Sequence, residues 1–175
     1  MSSGTLYRFS SIAVWLALIA GLTFVFGWLL DKQHNPNQSN LTRILSEGVS
    51  EVVLARNREG HYVATGEING RAVQFLVDTG ATHISIPGAQ AEKLGLERGA
   101  VMLAQTANGT VKVYATRLDK VKLGNIVLHN TLASINPGMS GDDILLGMSF
   151  LGHLEIIQRA DTLRLRVPEQ GDSRG

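Results

Sequence analysis

The sequence predicts a mainly β domain, a small barrel or sandwich with one or two short helices, preceded by one N-terminal transmembrane helix. Three observations carry this. Residues 12–30 form an uncharged, predominantly apolar run. From residue 51 onward, short apolar stretches recur between turns bearing Gly, Asn or Pro, the pattern of small all-β domains. A length of 175 residues leaves room for one compact domain and an accessory segment.

The apolar run reads IAVWLALIAGLTFVFGWLL, bracketed by Arg8 and by Asp31-Lys32. At ~1.5 Å per residue it is long enough for a hydrocarbon core of roughly 30 Å. Trp28 lies near its end, where an interfacial ring is favoured. A cleaved signal peptide has a shorter apolar region and small residues before the cut. This run ends in Trp28-Leu29-Leu30-Asp31, so an uncleaved anchor over 12–30 is expected, behind a short flank at 1–11. A helix packed on the core of so small a domain would show a polar face, and none is present. Arg8 and the terminal amine face Lys32 and Arg43 across the run, a near balance. The default for one N-terminal anchor is an exported domain.

Residues 31–50 open with Asn, Gln, Ser and Pro and read as a flexible linker, with a helical turn at 41–45. The folded domain is expected over 51–167, and 168–175 is a polar tail. Strands are expected at 51–55, 61–68, 71–77 and 82–86. Asn69-Gly70 is a strong hairpin signal, because a type I′ turn needs two positive φ angles. Val73, Phe75 and Val77 share one face by period two. Pro87-Gly88 stops the fourth strand, and a short helix at 89–96 ends at Gly95. A second hairpin joins 101–106 to 110–116 through Asn108-Gly109. Strands at 120–123, 126–135, 154–158 and 163–167 complete the set, with one short helix expected at 144–151.

Composition excludes several functions. There is no cysteine, hence no disulfide, thiol nucleophile or sulfur-ligated zinc. His34, His61, His83, His129 and His153 lack metal-ligand spacing, and no metal or cofactor is expected. Net charge is +1 with no basic stripe, so nucleic acid is not an expected partner. Gly147-Met148-Ser149-Phe150-Leu151-Gly152 misses the nucleophile-elbow spacing by one residue, which leaves Ser149 as a helix residue. Asp142-Asp143 is expected to start the helix ahead of Ile144, where negative charge favours the N-terminus.

The chemistry-bearing stretch is Phe75-Leu76-Val77-Asp78-Thr79-Gly80-Ala81-Thr82. A carboxylate at the end of an apolar strand is costly unless hydrogen-bonded or used. Thr79 supplies a hydroxyl, and Gly80 lets the backbone approach the carboxylate. The plain alternative is an Asx-type turn closing a hairpin.

This stretch resembles the active-site loop of aspartic peptidases, and the length resembles the single-domain, retropepsin-like branch. Ile144-Leu145-Leu146-Gly147 is similar to that family's second motif, which packs beside the active-site loop and leads into a short helix. The run from Gln105 through Ala107, Asn108 and Gly109 to Val113 is similar to the flap, a hairpin that closes over substrate. Thr82 stands where retroviral members usually carry an acid. With its anchor, the whole chain most resembles bacterial membrane-bound members, which implies an inner-membrane protein with a periplasmic domain.

The resemblance implies a closed acid-protease-type β-barrel and an aspartic endopeptidase with Asp78 as catalytic residue. Thr79, Gly80, Ala81 and Thr82 would support the loop. Leu145, Leu146 and Gly147 would pack behind it, and Ala107, Asn108 and Gly109 would form the flap tip. The family's chemistry needs two carboxylates sharing one proton, and no second Asp-Thr-Gly or Asp-Ser-Gly occurs. A homodimer facing two Asp78 carboxylates is the simplest completion, and a shared bilayer raises the effective concentration of its halves. Peptide or protein is the implied substrate. Two rival readings are a peptide-binding module that keeps the barrel without catalysis, and a membrane-tethered scaffold.

Overall fold

The computed structural model describes residues 3–39, 42–44, 50–106 and 109–168. The chain divides into two compact units, Met1–His34 and Asn35–Gly175. The first is one helix, α1 (Ser3–His34), of 32 residues. Its stretch Val14–His34 is long and apolar enough to cross a membrane, with mean hydropathy 1.9 and no part of that window buried. Thr23, polar within the run, donates its hydroxyl to the carbonyl of Ile19 at 2.8 Å, so it satisfies itself inside the helix. Lys32 places its ammonium 5.2 Å from the Trp28 ring centroid.

The second unit is mostly β. Its strands are β1 (Thr42–Ile44), β2 (Ser50–Ala55), β3 (Val63–Ile68), β4 (Arg71–Val77), β5 (Ile84–Pro87), β6 (Val101–Thr106), β7 (Gly109–Leu123), β8 (Ile126–Asn136), β9 (Ile144–Leu146), β10 (Glu155–Arg159) and β11 (Thr162–Arg166). Two short helices, α2 (Gly88–Leu94) and α3 (Met148–Leu151), interrupt them. Strands run in the order β3-β4-β9-β5-β8-β7, and a β3–β7 pairing closes these six into a barrel. β6 extends from β7 outside the ring. Closure removes the free edges that an open sheet would expose.

The turn at Asn69 and Gly70 has φ of 50° and 79°, as a type I′ hairpin requires. Phe75, Ile68, Ile84, Leu118, Leu123, Ile126, Ile135 and Phe150 are fully or almost fully buried inside the barrel. A second sheet, ordered β1-β2-β11-β10, adds Val52, Leu54, Leu163 and Leu165 to the same core. One row of it alternates charge, because Glu51 pairs with Arg166 and Arg166 with Glu155. Glu51 is wholly buried, with Arg166 at 3.2 Å and Arg164 at 3.6 Å.

Several sequence expectations are corrected. Residues 144–151 are not one helix. Ile144–Leu146 is a strand held between β4 and β5, and only Met148–Leu151 is helical. Asp142 and Asp143 therefore precede a strand. Asp142 accepts from the Gln90 amide and lies 3.4 Å from the Lys93 ammonium, which ties the loop to α2. β7 runs unbroken from 109 to 123, because β8 pairs with it through Arg117 and Leu118. The fourth strand begins at Ile84, two residues later than expected. Residues 42–44 form a strand, not a helical turn. The stretch expected to be a flexible linker contains the end of α1, and its Asn35 and Asn37 are buried.

Candidate active site

β4 carries the apolar approach to Asp78. It pairs in parallel with β9, Val77 opposite Leu146. The Val77 N–H donates to the Tyr62 carbonyl at 2.9 Å, and the Asp78 N–H donates to the Leu146 carbonyl at 3.2 Å. The chain then turns sharply. The Ala81 N–H donates to the Asp78 carbonyl at 3.3 Å, and the Gly80 N–H donates to Asp78 Oδ1 at 2.9 Å. A Cβ on Gly80 would stand 3.1 Å from that same oxygen, so glycine suits the position.

This is an Asx-type turn, yet it closes no hairpin. β4 and β5 are separated by β9, so the loop bridges two strands across a third. Asp78 is half-buried, and Thr79, Gly80 and Thr82 are exposed. Among the described residues, no donor other than the Gly80 amide reaches the carboxylate.

The second motif holds this loop from behind. Leu146 is buried in the core and Leu145 is half-buried, directly opposite Ser85. A Cβ on Gly147 would meet the His83 carbonyl oxygen at 2.3 Å and that of Ala81 at 2.6 Å. Only glycine permits so close a backbone crossing. Three hydrogen bonds follow at the start of α3. Met148 N–H donates to the Ala81 carbonyl at 2.8 Å and Ser149 N–H to the Thr82 carbonyl at 2.9 Å. The Ser149 hydroxyl oxygen accepts from Ile84 N–H at 3.0 Å. Ser149, dismissed as a nucleophile on sequence, is thus a positioning residue for the loop. Nothing in its sequence context signals that, since the partner amide is 65 residues away.

The expected flap is the β6–β7 hairpin, whose last described pair is Thr106 opposite Gly109. The Thr106 hydroxyl donates to the Gly109 carbonyl at 2.8 Å, and Gly109 has φ of 103°. The tip residues Ala107 and Asn108 lie outside the described residues. Val101 and Leu103 on β6 are exposed by 60% and 71%. Among the described residues, no cluster of His, Asp or Glu could hold a metal ion.

Comparison with known proteins identifies the family. The family model for gag-polyprotein putative aspartyl protease matches residues 64–153. An uncharacterized protein in the cobV 5′ region of Sinorhizobium sp is 34% identical over 168 residues, covering 89% of this chain and 72% of that protein. Uncharacterized protein RP867 of Rickettsia prowazekii (strain Madrid E) is 34% identical over 113 residues, covering 61% of this chain and 46% of its own length. A crystal structure of a retropepsin-like aspartic protease from Rickettsia conorii superposes with a TM-score of 0.55 at 32% identity, covering 67% of this chain and 90% of that one. The family match spans both the Asp78 loop and the Gly147 crossing behind it, and this chain belongs to the retropepsin-like aspartic proteases, as a member of the gag-polyprotein putative aspartyl protease family.

Proposed function

We propose that the chain is a membrane-anchored aspartic endopeptidase, active as a homodimer in which two Asp78 carboxylates activate one water. The observation that carries this is the Asp78 loop itself. It presents a half-buried carboxylate, oriented by the Gly80 amide at 2.9 Å, on a turn clasped by α3. Family membership supports peptidase chemistry in general. The count of one Asp-Thr-Gly per chain supports a second copy as the source of the other acid.

In this reading the two carboxylates hold one proton between them, because like charges so close do not both ionise. The ionised one removes a proton from water while the water oxygen attacks the scissile carbonyl carbon. The neutral one donates a hydrogen bond to the carbonyl oxygen. Collapse of the tetrahedral intermediate breaks the C–N bond, and a carboxyl proton passes to the leaving nitrogen. Thr79 and Gly80, exposed in the single chain, are open to contact the partner loop and the substrate backbone. Ala107, Asn108 and Gly109 close over the substrate and exclude water. Ala81 and Thr82 position the loop through their carbonyls, while Leu145, Leu146 and Gly147 back it.

Residues 12–30 anchor the protein by a single pass. Bacterial relatives support a bacterial membrane, and the default for a single N-terminal anchor puts the peptidase domain on the periplasmic side of the inner membrane.

The test uses the full chain, purified in detergent and offered a proteome-derived peptide pool. Cleavage abolished by Asp78→Asn, with the fold intact by circular dichroism, is the expected result. Peptide binding without turnover in the unaltered chain would overturn the catalytic reading and leave a binding barrel.

A further inference from the structure

Residues 35–37 follow directly on α1 and are built into the barrel. Asn35 and Asn37 are 1% and 5% exposed. The Asn37 side chain uses every hydrogen-bonding group it has on the ends of two strands. Its Nδ2 donates to the Ala55 and Val63 carbonyls, both at 2.8 Å, and its Oδ1 accepts from Ala55 N–H at 2.7 Å. Its backbone N–H donates to Asn35 Oδ1 at 2.9 Å, and its carbonyl accepts from Thr65 N–H at 3.2 Å. Asn35 Nδ2 in turn donates to Thr65 Oγ1 at 3.0 Å.

The barrel gives a reason for this. β3 pairs with β7 only at Glu67 and Ile68. The remainder of that edge of β3 would present bare peptide groups, which need partners when buried. Asn37 supplies them as a one-residue parallel bridge to Ala64. A short amide is suited to the task, having two donors and one acceptor on one group. Aspartate would lose both donors and set a charge against two carbonyls.

We propose that Asn35 and Asn37 form a strap that removes the slack between membrane helix and peptidase domain, so that the enzyme cuts protein segments lying close to its own bilayer. This rests on the peptidase reading given above. A free linker over 31–50 could stretch to ~70 Å at full extension. With Asn35 fixed in the barrel, only 31–34 separate it from Leu30, the last residue of the apolar run. That stretch spans at most ~18 Å extended and about 8 Å as helix. The substrate class is therefore membrane proteins, cut in segments that emerge beside the bilayer. The strap also withdraws 35–37 from self-cleavage, because a cut there requires Asn37 to leave the fold first.

The experiment uses the full chain in nanodiscs. Hydrogen exchange at the Ala55 and Thr65 amides reads the strap, and at least about tenfold faster exchange is expected in Asn37→Ala. Unchanged exchange overturns it. The chain has no cysteine, so Glu97→Cys gives a single site for a donor dye, with acceptor dye on the lipid. A twelve-residue Gly-Ser spacer inserted between His34 and Asn35 leaves the strap intact and is expected to lower the energy transfer. Transfer equal with and without the spacer overturns the short reach. Both chains are then given the best sequence from the peptide pool, free or placed 5 or 30 residues from a transmembrane anchor in the same disc. The native chain is expected to cut the near site at least about tenfold faster than the far one. The spacer chain is expected to lose that preference while cutting free peptide equally. Equal cutting at both distances by the native chain overturns the substrate class. Failure of both chains on free peptide overturns the peptidase reading instead, and the exchange and transfer results still decide the strap.

Discussion

A Cβ on Gly147 would stand 2.3 Å from the carbonyl oxygen of His83. That oxygen belongs to the segment joining the Asp78 turn to β5, so the crossing fixes how far the loop lies above β9. Gly147→Ala cannot be absorbed by a flexible side chain, because the obstacles are backbone atoms. The expected cost is about 1–3 kcal/mol of stability, read by chemical denaturation. Peptidase activity should fall by more than the loss of folded protein accounts for, because the loop must move.

Ser149→Ala removes the acceptor for the Ile84 N–H, held at 3.0 Å. Leaving a part-buried amide unsatisfied costs about 1 kcal/mol or somewhat more. Activity should drop chiefly in kcat, since the loop and not the substrate subsites is loosened. Ser149→Thr keeps a hydroxyl and should recover part of the loss. Equal kcat in wild type and Ser149→Ala would remove the positioning role.

What the sequence made legible follows from how local each signal is. The Asn69-Gly70 turn and the Asp78 loop are contiguous, and their chemistry is readable residue by residue. The run from Ile144 to Leu151 is mostly apolar, and periodicity cannot separate a buried strand from a buried helix in so short a stretch. Its first part is a strand because β4 and β5 both offer it backbone partners, a fact of tertiary structure. Residues 117–119 similarly read as a break between two strands, and pairing with β8 through Arg117 and Leu118 makes β7 continuous. Asn37 was hidden for the opposite reason. Asparagine in a polar stretch reads as coil, and the partners that bury it are Ala55 and Val63, far along the chain. The Ser149 clasp has the same long-range origin.

A dimer with one acid from each chain has a quantitative signature. Wild type and Asp78→Asn are mixed under exchange, at fixed total protein. Random pairing leaves an active fraction equal to the square of the wild-type fraction, about a quarter at an equal mixture for a two-fold site. A single-chain enzyme gives half. The measured curve of activity against mixing ratio separates the two without a structure of the dimer.

A covalently linked dimer tests the same point within one molecule. Asp78→Asn in one subunit alone should abolish cleavage, because the remaining carboxylate lacks the mate that supports the scissile carbonyl. Activity at half the wild-type level would assign the chemistry to a single chain.

Glu51 tests whether the second sheet depends on its buried charge. The carboxylate is wholly buried, 3.2 Å from Arg166 and 3.6 Å from Arg164, whose side chains are partly exposed. Its Oε2 makes no hydrogen bond, and neither does the buried Nε of Arg166, so the network is already imperfectly satisfied. Removing one member strands the other, which for a buried pair costs about 3–5 kcal/mol. The low end applies here because both arginines reach water. Glu51→Gln keeps the shape and drops the charge, so it isolates the electrostatic part. It should lower the denaturation midpoint with an unchanged m-value. Because Glu51 pairs with Arg166, joining strands from the two ends of the domain, hydrogen exchange should quicken first in β2 and β11. The Asp78 loop should be spared at low denaturant. Simultaneous acceleration in both regions would mean that the two sheets unfold as one unit, and the charged row would then be a contributor to global stability alone.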